Sequence, residues 1–157
     1  MDTVLHLDTT SGRLSAAGII VDIDTLADDL PAHFTKRAET AHVEGQVVDC
    51  VFARAAATSG DMTVQLQLRF EKELLVSCFL ALTTPALRKL EDADFYGSVD
   101  QRHRFHERWL ATMGVARSPA GFHWGSIGVA RDRSDYVYIY LHNLNNRWAH
   151  RHQPSPQ

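Results

Sequence analysis

Histidine is the residue type in this chain best suited to acid–base or metal chemistry, and nine histidines are present. His103 and His106 lie three positions apart, so both would project from one side of a helix, with Glu107 beside them. Two imidazoles on one helix face can bind zinc, but zinc proteases space them as H-E-x-x-H or H-x-x-E-H. This segment matches neither pattern, so we interpret it as a partly exposed polar side of a helix.

A further histidine, His123, lies between two aromatic residues and would point away from both in a strand. A lone imidazole there could act as an acid or base, but no serine, cysteine or carboxylate stands at a helpful spacing. A structural role is therefore favoured. His150 and His152 fall in the expected carboxy-terminal tail, and we regard their positions as incidental.

The two cysteines, Cys50 and Cys78, both fall inside predicted strands. No CxxC or Cys/His spacing supports a zinc site, so we expect both to be buried free thiols. The sequence also contains no phosphate-binding loop, dinucleotide-binding fingerprint or nucleophile elbow. It therefore predicts no catalytic residue, no metal site and no cofactor.

Acidic residues form three clusters that could bind a basic surface on another protein. For the first cluster, helix capping is the favoured interpretation, because anions are stabilised at the amino end of a helix. That cluster also lacks the regular spacing of oxygen ligands around a glycine that calcium loops use. Charge alone gives these candidate partner-binding residues: Asp24, Asp28, Asp29, Glu71, Glu73, Glu91, Asp92 and Asp94.

The bulk properties indicate one globular domain. The chain has 157 residues, 45% of them hydrophobic, and no apolar run approaches the roughly 18–20 residues that cross a membrane. The start, Met1-Asp2-Thr3-Val4, lacks the basic and apolar regions of a secretory signal. We therefore expect a cytoplasmic protein that does not bind membranes, unless a leader has been removed.

Charge is unevenly distributed along the chain. Residues 1–100 hold 16 acidic and 8 basic side chains, whereas residues 101–157 hold 3 acidic and 8 basic ones, within a net charge of -3. This polarity could steer a charged partner, although a surface on which the two halves interleave after folding is favoured. The overall pI of about 6.3 argues against nucleic acid as the main ligand.

Hydrophobic patterns predict most of the strands. Residues 62–70 show the clearest alternation, and residues 74–82 are apolar at nearly every position, which is typical of a central strand. Tyrosines alternate in the last strand, which indicates a half-buried sheet face, with partner recognition as the alternative. The predicted strands are residues 4–7, 13–23, 43–54, 62–70, 74–82, 122–131 and 136–142, with residues 55–61 as a loop. Gly18 interrupts the second of these, which indicates a bulge or a break between two strands.

Two helices are expected to cover the sheet. Residues 25–34 carry a capping box, although Pro31 conflicts with the early part of such a helix and favours a start nearer Asp28. Residues 98–113 form the second helix, which Ser98 caps and Gly114 ends. Its buried stripe is formed by Phe105, Trp109 and Met113, with His106 and Leu110 beside them. Residues 83–97 are expected to be a connector, in which a helical turn is an option.

The expected architecture is a single α+β domain over residues 1–146. It comprises a mostly antiparallel sheet of about six or seven strands covered by two main helices. Residues 147–157 are expected to form a frayed tail, because the chain turns polar and ends in Pro154-Ser155-Pro156-Gln157.

Several motifs carry a resemblance to a known group of proteins. They are the Ser11-Gly12 turn, a short helix, and the strand pair around Phe70 and Leu74. Next comes the long helix, which ends in Arg108-Trp109-Leu110-Ala111-Thr112-Met113-Gly114. It is followed by the segment Phe122-His123-Trp124-Gly125-Ser126-Ile127. The last are Asp132 in the final turn and the strand Val137-Tyr138-Ile139-Tyr140. Over residues 3–142, this layout resembles bacterial immunity proteins of secreted antibacterial toxins, including those of contact-dependent and type VI secretion systems.

The resemblance implies a non-catalytic protein that binds and neutralises one cognate toxin, encoded by a neighbouring gene. Contact residues in such proteins vary with the toxin, so it assigns no binding residue here. One alternative is an enzyme or small-ligand binder with a pocket between the sheet and residues 98–113, faced by His106, His123 or a tyrosine. Another is an adaptor or structural subunit that self-associates through an exposed sheet edge. The sequence leaves the oligomeric state open.

Overall fold

The computed structural model describes residues 1–150, which form an α+β fold of ten strands and three helices in that part of the chain. The first strands are β1 (His6–Leu7), β2 (Leu14–Ala16), β3 (Ile19–Val21), β4 (Thr35–Val43), β5 (Gln46–Ser59), β6 (Met62–Glu71) and β7 (Leu74–Thr83). The remaining elements are α1 (Pro85–Ala93), α2 (Val99–Thr112), β8 (Ala120–Phe122), β9 (Gly125–Arg131), β10 (Val137–Asn143) and α3 (Arg147–His150).

Seven strands form one antiparallel sheet in the order β4-β5-β6-β7-β10-β9-β8. Strands β4 to β7 are consecutive hairpins, whereas β10 returns from beyond both long helices to pair with β7. The apolar strand β7 is therefore the fourth of seven, and its predicted central position is confirmed. Strands β1, β2 and β3 form a separate three-stranded sheet, whereas a single sheet was predicted.

The hydrophobic core lies on one face of the large sheet. Alternation along β6 turns Leu66 and Leu68 into this core, where both are fully buried. The small sheet adds Leu7 and Leu14, and α2 adds Leu110, which is also completely buried. One cluster thus joins the two sheets and α2, and we call this side of the large sheet the covered face.

The predicted helix over residues 25–34 is wrong. Only Ala27–Asp29 forms a single 3-10 turn, and the Thr25 hydroxyl accepts from the backbone N–H of Asp22 instead of capping a helix. Pro31 gives the physical reason, because it removes a helical donor and crowds the preceding turn. The second main helix is instead α1, inside the predicted connector, where Pro85 occupies the first turn and Thr84 caps it.

Several strands also differ from the predicted ones, and residues 13–23 form the two strands β2 and β3 with a break at Ala17 and Gly18. Residues 35–43 form the edge strand β4, which was not predicted, and β5 continues to Ser59 through the predicted loop. The predicted strand over residues 122–131 is divided between β8 and β9 by a turn. At the carboxyl end, α3 occupies the first residues of the expected tail, and residues 151–157 lie outside the described part.

Two glycines occupy positions where a larger residue would not fit or would be strained, Gly12 beside Trp124 and Gly114 at the end of α2. The Trp124 indole nitrogen donates to the carbonyl of Thr9 at 2.8 Å, and Gly12 lies so close to the indole that a Cβ would collide with it. Gly114 has φ +99° and ends α2, while Val115 donates to the Leu110 carbonyl at 2.9 Å, as predicted for a left-handed helix end.

Candidate functional site

The side of the large sheet that faces away from the core carries polar and aromatic side chains in register across five strands. We call it the open face. Its main row is set by cross-strand pairs and runs through Thr35, Arg54, Gln67, Phe79 and Tyr140. A second row runs through Arg37, Phe52, Arg69, Ser77 and His142.

The open face is concave and forms an open, solvent-facing cavity of about 820 Å³. Aromatic rings contribute to its lining from β5, β7 and β10, with Phe79 and Tyr138 in edge-to-face contact at 5.7 Å between centroids. Rigid aromatic area of this kind is typical of protein contacts and small-molecule sites. Besides the tyrosines, the polar and charged lining residues are His33, Thr35, Arg54, Gln65, Gln67, Arg69 and Asp132.

Arg54 is exposed, yet its guanidinium has a fixed orientation. Its Nε donates to Oε1 of Gln67 at 2.7 Å. No residue among 1–150 provides a carboxylate partner for Arg54, and its two terminal nitrogens donate to no other residue there. The arginine therefore presents a paired set of donors beside aromatic walls.

Arg69 is held differently from Arg54. One of its terminal nitrogens lies 3.0 Å from a Glu71 carboxylate oxygen, and its guanidinium carbon is 5.9 Å from the centroid of the Phe52 ring. The Arg69 Nε is buried and has no hydrogen-bond partner among the described residues. Glu71 also accepts from the Trp148 indole at 3.3 Å, so α3 lies over this end of the open face.

A serine–histidine pair lies under the same end of the sheet. Ser77 Oγ is 2.7 Å from His142 Nδ1, and Asn146 donates to Ser77 Oγ at 2.9 Å. Burial, with a smaller contribution from Arg69, lowers the pKa of His142 to about 4. A neutral imidazole next to a hydroxyl is a nucleophile–base geometry, but Ser77 is only 1% exposed. The pair therefore anchors the segment that carries Asn146.

The tyrosine row of β10 lies on the open face as a half-buried surface. Val137, Ile139 and Leu141 turn into the covered face, as the alternation predicts, and burial raises the pKa of Tyr138 and Tyr140. Gly128 of β9 lies opposite Tyr140, and a Cβ there would collide with the tyrosine ring. This glycine lets the Tyr140 ring lie across β9.

The structure brings two of the three acidic clusters together. An isolated bridge between Leu26 and Leu74 places the segment with Asp24, Asp28 and Asp29 beside the turn that contains Glu73. All four of these carboxylates are on exposed residues. Glu71 is not available in the same way, because its side chain is only 13% exposed and pairs with Arg69.

The third acidic cluster is remote from the other two. Asp92 and Asp94 are exposed, and Glu91 is half-buried, on or just after α1. This helix follows the far end of β7, about 30 Å along the strand from the Glu73 turn. Apart from Glu71, the candidate partner-binding residues thus belong to two separate surfaces, and none of the eight lines the cavity of the open face.

Of the two interpretations of His106, the partly exposed polar side is wrong, and the position beside the buried stripe of the helix is confirmed. It is buried on the covered face, where its Nε2 accepts from the backbone N–H of Leu82 at 3.0 Å and its Nδ1 lies 2.7 Å from the Arg102 carbonyl. Burial lowers its pKa to about 4. His103 pairs instead with Glu107 at 3.6 Å. The helix therefore packs directly on β7 at His106, and the large cavity lies on the opposite face from the expected pocket.

The other residues singled out by the sequence have simple environments. His123 is exposed in the turn between β8 and β9, and Cys50 and Cys78 are buried free thiols, as predicted. Burial raises the pKa of Cys78 to about 12. His152 lies outside the described residues. Within residues 1–150, no three histidine, cysteine or acidic side chains are grouped to hold a metal ion.

Comparison with known proteins gives no relative. No protein-family model matches the chain, and no curated protein or solved structure matches it. In the described part of the chain, none of the helices has both the length and the apolar character of a membrane span.

Sequence reasoning missed the concave face because its members are far apart in the chain. The alternation in β6 already placed Gln65, Gln67 and Arg69 on one side. The tyrosines of β10 gave a second signal. What could not be seen was that β10 pairs with β7, which brings Tyr138 and Tyr140 beside Phe79.

Proposed function

We propose that this protein is a non-catalytic immunity protein that binds and neutralises a cognate secreted antibacterial toxin. The observation that carries the proposal is the concave open face, with its aromatic walls and oriented polar side chains. A binding protein needs a rigid surface of this type, and a standard interface buries about 1,200–2,000 Å² in total. The motifs that resemble immunity proteins support the same conclusion.

The geometry favours the open face over the sheet edges as the docking surface. The longer edge strand, β4, carries Lys36 and an ion pair between Arg37 and Glu39 along its length. Charged side chains on an edge oppose strand-to-strand association. The other edge strand, β8, has only three residues. We therefore propose a monomer whose sheet face, and not its edge, binds the toxin.

The first experiment tests neutralisation. The toxic carboxy-terminal domain encoded by the adjacent reading frame is expressed in bacteria with and without this protein. We expect growth to be restored only by co-expression, and the purified proteins to form a stable complex. Continued growth arrest in the presence of folded protein, together with no complex by size-exclusion chromatography, would reject the proposal.

A matched pair of substitutions then tests the surface. Gln65→Trp adds a large side chain to the open face, whereas Gln101→Trp adds the same side chain to an exposed position on α2. We expect the first to weaken toxin binding at least roughly tenfold and the second to leave it unchanged. Equal affinity of both variants would exclude the open face while leaving neutralisation itself intact.

A further inference from the structure

The open face contains one cation that the described structure leaves without a counter-charge. Arg54 is oriented by Gln67 but pairs with no carboxylate of residues 1–150. Its planar guanidinium keeps paired N–H donors free, and this geometry matches a carboxylate in a bidentate pair. An arginine held in this way loses less conformational freedom on binding than a mobile one.

The other two charged residues of the cavity lining have partners within the protein, an ion pair for Arg69 and backbone hydrogen bonds for Asp132, which keeps its negative charge at the turn between β9 and β10. Arg69 is paired with Glu71. One carboxylate oxygen of Asp132 accepts from the backbone N–H groups of Ser134 and Tyr136, which closes the turn between β9 and β10. Arg54 is thus the lining cation without a carboxylate partner among residues 1–150, and the preference for a negative charge is local to the part of the cavity around Arg54 and Gln67.

We propose that the concave open face binds an acidic segment of a partner protein, with a carboxylate of that segment paired to Arg54. Apolar side chains next to the carboxylate pack against Phe52, Phe79 and Tyr138, and the amide of Gln65 lies beside them. This inference builds on the proposed function, because it names the chemistry of the toxin surface that the open face receives.

The inference reverses the charge preference expected from the sequence. The acidic clusters predicted a basic partner surface, whereas Arg54 selects an acidic one. Asp28 and Asp29 belong to the surface around the Leu26–Leu74 bridge, outside the cavity lining. The two surfaces can therefore be tested independently with one set of variants.

The test uses nuclear magnetic resonance of the full chain with a defined peptide, acetyl-Glu-Leu-Glu-Leu-Glu-amide. We expect shifts at the Arg54 side-chain Nε–H and at backbone amides of β5 and β6, weakening as salt is added. The same peptide with glutamine in place of glutamate is expected to bind at least roughly tenfold more weakly. Equal shifts with both peptides, or no shifts with either, would overturn the inference.

Charge variants localise the effect. Arg54→Glu is expected to abolish the shifts caused by the acidic peptide, and Arg54→Gln to reduce them, whereas Arg108→Glu on the exposed side of α2 retains them. Unfolding midpoints show whether each variant is folded. If Arg54→Glu still bound the acidic peptide as tightly as the unchanged protein, Arg54 would not be the recognition group.

The two proposals fail in different ways. Neutralisation of the toxin by the Arg54→Glu variant, with unchanged affinity, would reject the acidic-segment inference and leave the immunity function standing. Peptide binding through Arg54 without any neutralisation of the toxin would reject the immunity function and leave the acidic site standing.

Discussion

The two faces of the large sheet are built from neighbouring residues but have opposite properties. On the covered face, a row of paired residues runs through Ala53, Leu68, Cys78, Leu141 and Ile127, all of which are buried. The main row of the open face lies one residue away and carries arginine, glutamine, phenylalanine and tyrosine. The covered face therefore contributes most of the buried apolar contacts that stabilise the fold, which leaves the side chains of the open face available for binding.

The largest expected difference between the faces is in stability. Leu68→Ala should lower the free energy of unfolding by about 2–5 kcal/mol, because it opens a cavity at a fully buried site. Gln67→Ala, one residue away, should lower it by about 1 kcal/mol or less, since it removes only the hydrogen bond to Arg54. Urea unfolding measures both values. Equal losses would show that the open face contributes to the core.

Acidification should destabilise both faces through one histidine on each. Burial lowers the pKa of His106 and of His142 to about 4, against 6.5 in an unfolded chain. Between these values the unfolded chain binds more protons, so stability falls as the pH drops from about 6.5 to 4. Each histidine contributes a loss on the order of 3 kcal/mol.

The measurement is urea unfolding at a series of pH values, and His142→Gln is the matched variant. This substitution should remove roughly half of the decrease over the same pH window, while the part due to His106 remains. A stability curve that is flat between pH 6.5 and 4.5 would contradict the burial of both neutral imidazoles.

A smaller effect is expected from Gly128→Ala, which acts on the open face alone. The added methyl group displaces Tyr140 from its position across β9 and should lower the free energy of unfolding by about 1–3 kcal/mol. The change in tyrosine environment is followed by near-ultraviolet circular dichroism. Ser126→Ala, two residues earlier on the same strand face, is the control and should leave the tyrosine signal unchanged.

The smallest effect is expected from the acidic surface. Asp28→Lys combined with Asp29→Lys should change toxin affinity by about 0.5 kcal/mol or less, because both residues are exposed and outside the cavity. Titration calorimetry at two salt concentrations gives the affinity and its salt dependence. A large loss of affinity would restore the acidic cluster as the docking surface.

The fold was predictable where a local pattern matched the burial of the chain. The alternation in β6 and the apolar character of β7 gave correct strands. Strand β4 was missed because most of its residues are exposed and give no alternating hydrophobic signal. The start of α1 was readable from Thr84 and Pro85, since a capping residue followed by proline is typical of a helix start.

The candidate site was less predictable than the fold. Individual strands showed that Arg69 shares a side with Gln67, and that Tyr138 shares one with Tyr140. These two groups lie close together only because β7 pairs with β10, and two helices and two strands separate β7 from β10 along the chain. Such long-range pairing is decided by the packing of the whole domain, and no local spacing encodes it.

The return of β10 to the middle of the sheet has a consequence for synthesis and folding. Strands β4 to β7 meet through short hairpins and can assemble first, because closing short loops costs little entropy. Until β10 arrives, β7 is an unpaired border whose side chains are apolar on both faces. A chain that ends before residue 137 therefore exposes β7 as an unpaired apolar edge strand, and we expect such a chain to aggregate.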